Sequence, residues 1–600
     1  MLLSIHISPV EATPAAFYES RNDHYRTGAN LAETILNHAN VSSSNFGLLF
    51  NLPLDVGVGT QTLYAPNLVI QNTVHNVIYV TTYGGTIYAF DADQAGPPLG
   101  LLKPGVSGTN NILNNTPIID PTTNTLYLLT RQINPTPPYN MQLHALDLTS
   151  GAEKFGGPVT LKGSYTSPSG SKVDFDGQNL KSHAGLALAN GQLIITFCAT
   201  HEGSAFVYSG WVMSYNATTL QQTGVFATIT LPPATGGGIW QSGRAPAVDD
   251  QGNIYLFTGN AYSTGDYTNP ANSYDGVNNF SESLLKFNAN LQLLDWFTPS
   301  DWSFLDKIDA DLSSSGPTII PGTGLIVGGG KDGNLYLWDS KNLGRYDAND
   351  AQVIQKIPGP LGADRIFNGP VFWSRSAEEG GGLLFNAYWD SPIYAFAFNG
   401  TTLNPTPIFG SPAADAARGG YKTSFALSAN GGQKGTGVIW ALIDNPTTKT
   451  SILHAYNAEN LAQELWSSGN YPLSEQLQGR GTYIPPTVIN GKVYVPTSAN
   501  MLSVFGLQNQ NSLPKLFAIP NTVITVGTPI NYKVPASSAQ GGNLIFSSNN
   551  LPPGLSINSN TGLISGAAST VGVYKGSITV TDTLSGSRTT SFQCTVKAGG

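Results

Sequence analysis

Short stretches in which apolar and polar positions alternate recur along most of the chain. The first clear example is residues 74–93, VHNVIYVTTYGGTIYAFDAD, where residues 77–82 and 86–90 alternate β-branched or aromatic residues with others. Gly84 and Gly85 lie between these two stretches, where a tight turn needs positive φ. The pattern therefore predicts a β-hairpin whose second strand ends in an aspartate.

Variants of this hairpin recur as far as residue 507, and most are flanked by two further short strands. The preceding strand often opens with Pro or Gly, as in TPIID and IPPTVI, and a fourth strand such as QELWSSG follows. Four strands repeated at a spacing of roughly 40 to 60 residues predict a β-propeller, because one blade alone cannot bury both of its faces. We expect eight blades, with central hairpins at residues 77–91, 125–147, 193–215, 253–287, 324–339, 383–398, 438–457 and 492–507.

The eighth repeat has only three strands before the chain leaves it. Residues 46–55 form a predicted strand without a hairpin partner beside it. We expect this strand to complete the eighth blade and close the ring, which would remove the exposed sheet edges. Residues 1–45 are a polar lead-in with one helical turn near residues 31–36. An open solenoid or a pair of sandwiches is the alternative arrangement of the same strands.

The strand pattern changes after a polar linker at residues 508–515. Residues 516–600 contain short alternating strands such as GLSIN and YKGSITVTD, which predict a small β-sandwich of immunoglobulin (Ig) type. This region lacks the Cys…Trp…Cys core of antibody domains. The predicted fold class is therefore all-β, with a propeller at residues 46–507 followed by an Ig-like β-sandwich.

The composition agrees with a turn-rich β-protein. Charged residues make up 11% of the chain, against roughly 25% in an average soluble protein, and there are 67 Gly and 39 Pro. The net charge is −9 and no run of Lys or Arg is present, so we expect no nucleic-acid partner. No apolar run approaches the ~18 residues that span a bilayer, so no transmembrane segment is expected.

The two cysteines, Cys198 and Cys594, each lie in an alternating strand pattern and fall in different predicted domains. We expect two buried free thiols rather than a disulfide, and the count excludes a cysteine-ligated metal site. The first residues, MLLSIHISPVEA, have a short apolar patch without a basic start. Whether they are the remnant of a trimmed export signal is left open.

Several phrases resemble known families. YVTTYGGTIYAFDA, VGGGKDGNLYLWDS and LHAYNAENLAQELW resemble the repeat of quinoprotein-like propellers, often called PQQ-like repeats after pyrroloquinoline quinone. LHALDLTSGAEKFGGPV and GGIWQSGRAPAVDDQGNIYLFTGN resemble a bacterial family of exported PQQ-like proteins over roughly residues 20–507, a family that brings no assigned reaction with it. The tail LPPGLSINSNTGLISGAASTVGVYKGSITVTD resembles the Ig domains of bacterial surface proteins, which are related to cadherin-like modules. The resemblance implies an exported, cell-surface or extracellular protein with an eight-bladed quinoprotein-like propeller.

Catalysis by a quinoprotein needs a particular set of groups. Enzymes of that class hold PQQ over the propeller axis with Ca²⁺, carboxylate ligands, an Asp base, a flat Trp and, in alcohol dehydrogenases, adjacent cysteines. This chain has no adjacent cysteines and no concentrated acidic cluster, so we expect neither PQQ nor catalysis of this kind. Its tryptophans occupy predicted strand or blade-edge positions suited to packing between blades, namely Trp240, Trp338, Trp389, Trp440 and Trp466.

The most polar phrase, CATHEGSAFVYSGWV, contains His201 and Glu202 in a predicted loop of the third blade. They are candidates for a general acid or metal ligand in the axial funnel, or for a hydrogen-bonded pair that orders the loop. In the family that this phrase resembles, a second His often stands at the position of Ser209. A two-histidine metal site is therefore not expected.

Further ligand-binding candidates lie near the predicted axis. Trp240, Gln241 and Arg244 belong to IWQSGR, just before an inner strand. Arg244 would bind an anionic ligand with two hydrogen bonds, or tie neighbouring blades together through carbonyl groups. Lys331 lies in GGGKDGN, where Asp-Gly favours a hairpin turn over a binding role.

The sequence also contains candidate ligands for calcium. Asp309 and Asp311, with Ser313, place oxygen donors at every other residue, as in a minimal Ca²⁺ loop. No Glu closes the loop in the manner of an EF-hand. The alternatives are a structural Ca²⁺ and a solvated turn.

These observations favour a secreted or cell-surface protein that binds, adheres or acts as a scaffold without catalysis. A propeller face rich in Asn, Ser, Thr and Tyr would recognise a glycan, polymer or protein by hydrogen bonding and aromatic stacking. Two alternatives remain. One is a PQQ- and Ca²⁺-dependent alcohol or sugar dehydrogenase, and the other is a structural subunit of a surface assembly.

Overall fold

A computed structural model of the chain consists almost entirely of short β-strands joined by turns. One α-helix, Trp302–Lys307, and four 3₁₀ turns, Gln241–Gly243, Leu312–Ser314, Pro360–Gly362 and Ser468–Asn470, are present in the described residues. The structure describes residues 15–102, 110–112, 115–132, 140–200, 207–266, 268–412, 423–445, 450–470, 477–479, 481, 483–508, 514–516, 519, 521–538, 543–582 and 586–599.

Between residues 46 and 507, eight of the described sheets each contain an antiparallel meander of four strands. We number these sheets as blades and give their strands from the inner to the outer. Blade 1 is Leu63–Ile70, Thr73–Thr81, Ile87–Asp91 and Gly100–Leu102; blade 2 is Ile118–Asp120, Thr125–Gln132, Asn140–Asp147 and Val159–Thr160; blade 3 is Ala187–Ala189, Gln192–Ala199, Trp211–Asn216 and Gln222–Ala227; blade 4 is Ala247–Val248, Ile254–Phe257, Leu284–Phe287 and Leu293–Thr298.

The second half of the array repeats the same meander. Blade 5 is Thr318–Ile320, Leu325–Gly328, Leu335–Asp339 and Gln355–Ile357; blade 6 is Val371–Trp373, Gly382–Ala387, Ile393–Phe398 and Phe409–Gly410; blade 7 is Ser424–Ser428, Val438–Asn445, Thr450–Asn457 and Glu464–Ser467; blade 8 is Thr487–Ile489, Lys492–Pro496, Met501–Leu507 and Phe46–Pro53. Accessory strands are Ala29–Asn30, Asn110–Ile112, Ser164–Thr166, Lys172–Asp174, Leu180–Lys181, Ala234–Gly236, Ala261–Ser263 and Arg345–Tyr346.

The two ends of the propeller meet in blade 8. Phe46–Pro53 pairs antiparallel with Met501–Leu507, in a register that sets Phe46 opposite Leu507 and Pro53 opposite Met501. The outer strand of this blade therefore comes from the start of the array and the other three strands from its end. This pairing covers the sheet edge that an incomplete last blade would expose.

The lead-in is a structural part of the propeller. Between residues 17 and 30 it passes along the inner strands, where its carbonyl groups accept hydrogen bonds from the inner-strand N–H groups of six blades at 2.7–2.9 Å. The N–H groups are those of Tyr64, Ile119, Val248, Ile319, Phe372 and Leu427. The segment thus occupies the central channel, and its Ala29–Asn30 pairs parallel with the inner strand of blade 7.

Residues 31–36 do not form the helical turn that the sequence predicted. The side chain of Glu33 determines a different conformation: Oε1 accepts hydrogen bonds from the N–H groups of Ile35 and Leu36, and Oε2 accepts one from Gly491 of blade 8. These contacts satisfy the N–H groups that a helix would have paired with backbone carbonyls.

The core lies between neighbouring blades. Trp338 of blade 5 packs against Phe257 and Phe297 of blade 4, with ring centroids 5.9 and 5.4 Å apart. Phe46 of the closing strand lies 5.1 Å from Trp440 of blade 7. Burial of large rings between blades is what holds such sheets together, since each blade is too small to have a core of its own.

The C-terminal strands form two small sheets around a separate apolar core. One sheet has the order Thr522–Thr525, Gly586–Lys597, Gly572–Asp582 and Leu544–Asn549, and the other Pro529–Lys533, Leu563–Ala567 and Leu555–Ile557; a short pair, Lys515–Leu516 with Ala536–Ser537, lies beside them. Phe546, Ile578 and Val580 are buried between the sheets. Cys198 of blade 3 and Cys594 of this sandwich are buried free thiols, as predicted. None of the helices in the described part of the chain is both long and apolar enough to cross a membrane.

Candidate binding site at the axial mouth

The loops that enter the inner strands and the turns of the central hairpins lie at the same end of the ring, because consecutive strands of a meander alternate in direction. We call this end of the central channel the axial mouth. It contains a pocket of about 200 Å³ lined by Gly59, Gln61, Tyr83, Thr116, His183, Gly243, Tyr483, Ile484 and Pro485. The lead-in lies beneath it, where the N–H of Arg21 donates to Oε1 of Gln61 at 2.9 Å.

Five aromatic side chains form a continuous row across the axial mouth. The centroid distances are 6.2 Å from Trp240 to His183, 6.0 Å from His183 to Tyr483, 6.2 Å from Tyr483 to Phe367 and 5.1 Å from Phe367 to Trp389. We call these five residues the ring row. All five are partly exposed, whereas Trp338 and Trp440 are fully buried.

Three of these rings occupy the same position in the blade repeat. His183, Phe367 and Tyr483 each stand four residues before the first residue of an inner strand, in blades 3, 6 and 8. Equivalent loops of a propeller converge on the axis, so residues at the same position of different repeats become neighbours. The ring of His183 is fixed by a hydrogen bond between Nδ1 and the carbonyl of Trp240 at 2.9 Å.

Trp240 and Trp389 reach the axial mouth from irregular segments. After Trp240 the backbone bends through three residues in the left-handed region, Gln241, Ser242 and Gly243, with φ of 46°, 44° and 80°. Trp389 lies in the turn of the central hairpin of blade 6, and its Nε1–H donates to Asp390 at 2.8 Å. The sequence predicted strand or blade-edge positions suited to packing between blades for both tryptophans. Both lie in loops outside the strands, and Trp240 also packs against the apolar core of blades 2 and 3.

A cation lies over the ring at each end of the row. Nζ of Lys181 is 4.8 Å from the centroid of Trp240, and Cζ of Arg365 is 5.1 Å from that of Trp389. Asp364 lies 3.7 Å from Nε of Arg365. Cations over aromatic faces are attracted by the ring quadrupole, so these side chains are held at the ends of the row.

Arg244 lies below the axial mouth and is fully buried. Its Nη1 donates to the carbonyl of Arg26 and to Oγ1 of Thr318, and its Nη2 donates to the carbonyls of Asn368 and Pro370, at 2.5–3.1 Å. The side chain therefore ties the lead-in to blades 5 and 6. Burial, with the nearby guanidinium groups of Arg21 and Arg26, holds the pKa of Arg244 well below its usual range.

The amide of Gln241 is also directed into the fold. Its Oε1 accepts a hydrogen bond from the N–H of Phe257 at 3.0 Å, and its Nε2 donates to the carbonyl of Arg244 at 2.9 Å. Of the residues predicted in IWQSGR, Trp240 alone presents its side chain at the axial mouth.

Three buried carboxyl groups lie beside the axial mouth, between the hairpin loop of blade 4 and the loop that enters blade 5. Glu282 accepts from the N–H of Leu312 at 2.5 Å, and Asp306 accepts from the N–H of Ala261 at 2.9 Å. Asp311 accepts from the N–H of Asn260 at 3.0 Å. Burial raises the pKa of Glu282 and of Asp306 well above the usual range, and the neighbouring carboxylates add to this effect.

Lys331 is the cation that faces this group. Its Nζ lies 2.5 Å from Asp311 and 2.9 Å from Asp309, the two residues predicted as Ca²⁺ candidates. Burial alone would lower the pKa of Lys331, but the charges of Asp311 and Asp309 raise it. Ser313, the third residue of the predicted loop, donates to the carbonyl of Gly238 at 2.9 Å.

The predicted candidates thus fall in different places. Trp240 lies at the axial mouth, Arg244 and Gln241 lie beneath it, and Lys331 is paired with two aspartates. His201 and Glu202 lie outside the described residues. His183, Phe367 and Tyr483 were missed, although aligning the repeats on their inner strands would have placed an aromatic residue at the same position in three blades.

Solved structures with a similar fold cover most of the chain. A quinohemoprotein alcohol dehydrogenase (ADHIIG) from Pseudomonas putida HK5 has a TM-score of 0.51 and 14% identity, with 82% of this chain and 80% of that chain covered. The quinohemoprotein alcohol dehydrogenase from Comamonas testosteroni has a TM-score of 0.50 and 14% identity, with the same shares covered, 82% and 80%. A europium-containing methanol dehydrogenase has a TM-score of 0.53 and 13% identity, with 83% and 99% covered. The fold is a quinoprotein-type β-propeller.

The C-terminal part of the chain has a sequence family of its own. Residues 511–597 match the family described as "Putative Ig domain". This part is therefore an Ig-like domain that follows the quinoprotein-type propeller. A search of curated protein sequences found no match.

The dehydrogenases of this fold class raise the question of PQQ and Ca²⁺. PQQ is a planar quinone that carries carboxylates, and Ca²⁺ takes 6–8 oxygen ligands, so both need charged partners. The lining residues of the pocket include no Asp, Glu, Lys or Arg. No three His, Cys, Asp or Glu side chains come together in a metal-binding arrangement within the described ranges. The residues that line the pocket therefore do not fit PQQ with Ca²⁺.

Proposed function

We propose that this is a non-catalytic binding protein, located at the cell surface or outside the cell, and that the axial mouth binds a glycan. One observation carries the proposal, namely the row of five partly exposed rings beside a pocket whose lining is uncharged. Concave sites with aromatic walls and a few placed polar groups are the usual form of small-molecule sites.

The chemistry of the axial mouth suits sugars. The apolar C–H faces of a pyranose pack against aromatic faces, and its hydroxyl groups need donors and acceptors at the edge. Gln61, Thr116 and His183 supply such polar groups in the pocket, and Tyr83 and Tyr483 supply both a ring face and a hydroxyl. A site with these groups binds without electrostatic steering, in agreement with the low charge of the chain.

The proposed location follows from the domain organisation and the composition. An Ig-like domain next to a propeller is an arrangement that suits display outside the cell, where the domain would act as a spacer or adhesive module. We also propose that the protein works without PQQ, since the lining of the pocket offers no charged partner to the cofactor.

The experiment is a glycan array followed by calorimetric titration of the glycans that bind. Tyr483→Ala and Tyr83→Ala should each weaken binding about two- to tenfold, as expected for loss of one aromatic contact. Tyr346→Ala is the matched control, because Tyr346 is an exposed tyrosine in a strand that pairs with the outer strand of blade 4. Its affinity should equal that of the unmodified protein.

Two results would contradict the proposal. One is a folded protein that binds no glycan on the array. The other is a saturable change in absorbance together with a higher melting temperature when PQQ and Ca²⁺ are added, since that result would assign the axial mouth to a quinone cofactor.

A further inference from the structure

The ring row is longer than a site for one sugar needs. Its four centroid distances, 6.2, 6.0, 6.2 and 5.1 Å, add along a path that runs from the loop before blade 4 to the hairpin turn of blade 6. A single pyranose covers one ring or at most two neighbours. The partly exposed faces of the remaining rings would then make no contact with the ligand, whereas a chain of linked sugars would contact all five rings.

The two ends of the ring row differ in charge. At one end, Lys181 lies over Trp240 and has no acidic side chain within 4 Å among the residues that the structure places. At the other end, Arg365 is accompanied by Asp364 at 3.7 Å, and Asp390 accepts from Trp389. The Trp240 end therefore presents the ammonium group of Lys181, while the Trp389 end offers a mixture of donors and acceptors.

These two observations specify the ligand further. We propose that the glycan is a linear acidic polysaccharide, a chain of pyranose rings with carboxylate groups, that lies along the ring row with one carboxylate at Lys181. This inference rests on the proposed function and names the substrate class of the same site. Hydroxyl groups at the other end of the chain bind Asp364, Arg365 and Asp390, where paired carboxylate and guanidinium groups serve as acceptors and donors.

The overall charge of the protein does not explain binding of an acidic glycan, so the local contacts at the ring row must select it. With a net charge of −9, the chain does not attract polyanions in general. An acidic glycan is therefore selected by contact with Lys181 and the rings. Added salt should weaken the contact with Lys181 and leave the ring contacts unchanged, because only charge interactions are screened.

The test uses oligogalacturonates and oligomannuronates of one to six residues, with their methyl esters as uncharged counterparts, titrated into the full-length protein. Affinity should rise with each added residue until the ring row is filled and then become constant. The acids should bind more tightly than the esters. Lys181→Gln should lower the affinity for the acids about two- to fivefold, as for an exposed ion pair, and leave the affinity for the esters unchanged.

Two further variants are titrated with the same oligosaccharides. Lys154→Gln removes another lysine that lies over an aromatic ring, 5.3 Å from Phe155, but outside the axial mouth, and should have no effect on binding. Trp389→Ala should lower the chain length at which the affinity becomes constant. Melting temperatures of all variants check that each is folded.

The outcomes separate this inference from the proposed function. Equal affinity for acids and esters would overturn the acidic nature of the ligand, and equal affinity for short and long chains would overturn the extended site. In both cases a glycan still binds, so the proposed function stands. Absence of binding by every oligosaccharide, and by the whole array, would overturn both.

Discussion

Glu282 is a buried carboxyl group in a conformation that L-residues rarely adopt. Its φ is 45°, its side chain is fully buried, and Asp306 and Asp311 lie near it. Burial raises the pKa of Glu282 well above its usual value, so the folded state retains a proton that the unfolded chain has lost at the same pH. Folding is therefore linked to proton uptake at this position.

The raised pKa of Glu282 makes the stability of the protein depend on pH in a direction that can be tested. A carboxyl group whose pKa is raised on folding stabilises the protein below the unfolded value, about 4.3 for Glu, and this contribution is lost as the pH rises towards the folded pKa. Glu282→Gln has no proton to lose. The free energy of unfolding of the variant, relative to the unmodified protein, should therefore rise between pH 5 and pH 8.

Urea denaturation followed by tryptophan fluorescence measures this difference, because all nine tryptophans precede the Ig-like domain. Glu378→Gln, at an exposed position, is the control and should give a curve parallel to that of the unmodified protein. A parallel curve for Glu282→Gln as well would show that Glu282 titrates normally in the folded state.

Side chains at the axial mouth were only partly predictable from the sequence. Trp240 was placed near the axis because it directly precedes a recognisable inner strand. His183, Phe367 and Tyr483 were not, because each stands alone in a polar loop, and their proximity arises only when three distant loops converge. The partner of Lys331 was missed for a similar reason, since Asp311 belongs to another loop and hydrogen-bonds Asn260 as well.

Among the structural elements, the hairpins and the lead-in differ in how far local sequence determines them. The hairpin of blade 1 turns at Gly85 with φ of 82°, and strand alternation on both sides fixes its register. Such elements are predictable because their partners are close in sequence. Arg21 instead donates to the carbonyl of Phe425, and Arg26 to that of Pro246. The lead-in is polar, as surface loops are, although partners far away in the sequence bury it. Its burial could therefore not be predicted from the local sequence.

The passage of the lead-in past blade 6 depends on Gly28. Its φ is 70°, and a Cβ there would lie 2.8 Å from Cγ2 of Val371. We expect Gly28→Ala to lower the free energy of unfolding of the propeller by ~2–5 kcal/mol, the sum of the left-handed strain and overpacking against Val371. Denaturation followed by tryptophan fluorescence measures the loss.

Gly170→Ala is the matched control for this prediction. Gly170 has φ of 88°, but nothing lies within 4 Å of the position of its Cβ. This variant should lose only ~1–2 kcal/mol, from the strain alone. Equal losses in the two variants would mean that the lead-in does not pack against blade 6 in solution.

At the scale of the whole molecule, the Ig-like domain has an apolar core that is separate from those between the propeller blades. The apolar cluster of the Ig-like domain runs from Leu516 to Val596 and contains no propeller residue among those described. The side chain of Arg588 donates a hydrogen bond to the carbonyl of Leu49 in blade 8, so the two parts touch without a shared core. Domains with separate cores unfold as separate cooperative units.

Differential scanning calorimetry of the full chain should therefore show two transitions. Phe546→Ala, in the Ig-like core, should lower one melting temperature, and Leu337→Ala, in blade 5, should lower the other, each with a loss of ~2–5 kcal/mol. A single transition that moves with both substitutions would show that the two parts fold as one unit.

The pairing that completes blade 8 also bears on how the protein is made. About 450 residues separate Pro53 from its partner Met501, a length that a ribosome synthesises in ~20–90 s at about 5–20 residues per second. Throughout that time the strand Phe46–Pro53 remains unpaired, because Met501–Leu507 has not been synthesised, and the ring stays open. A product that ends early keeps an unpaired edge that chaperones and proteases can recognise. The ring thus closes only on a nascent chain whose translation has passed its last blade, and its closure reports that synthesis of the propeller is complete.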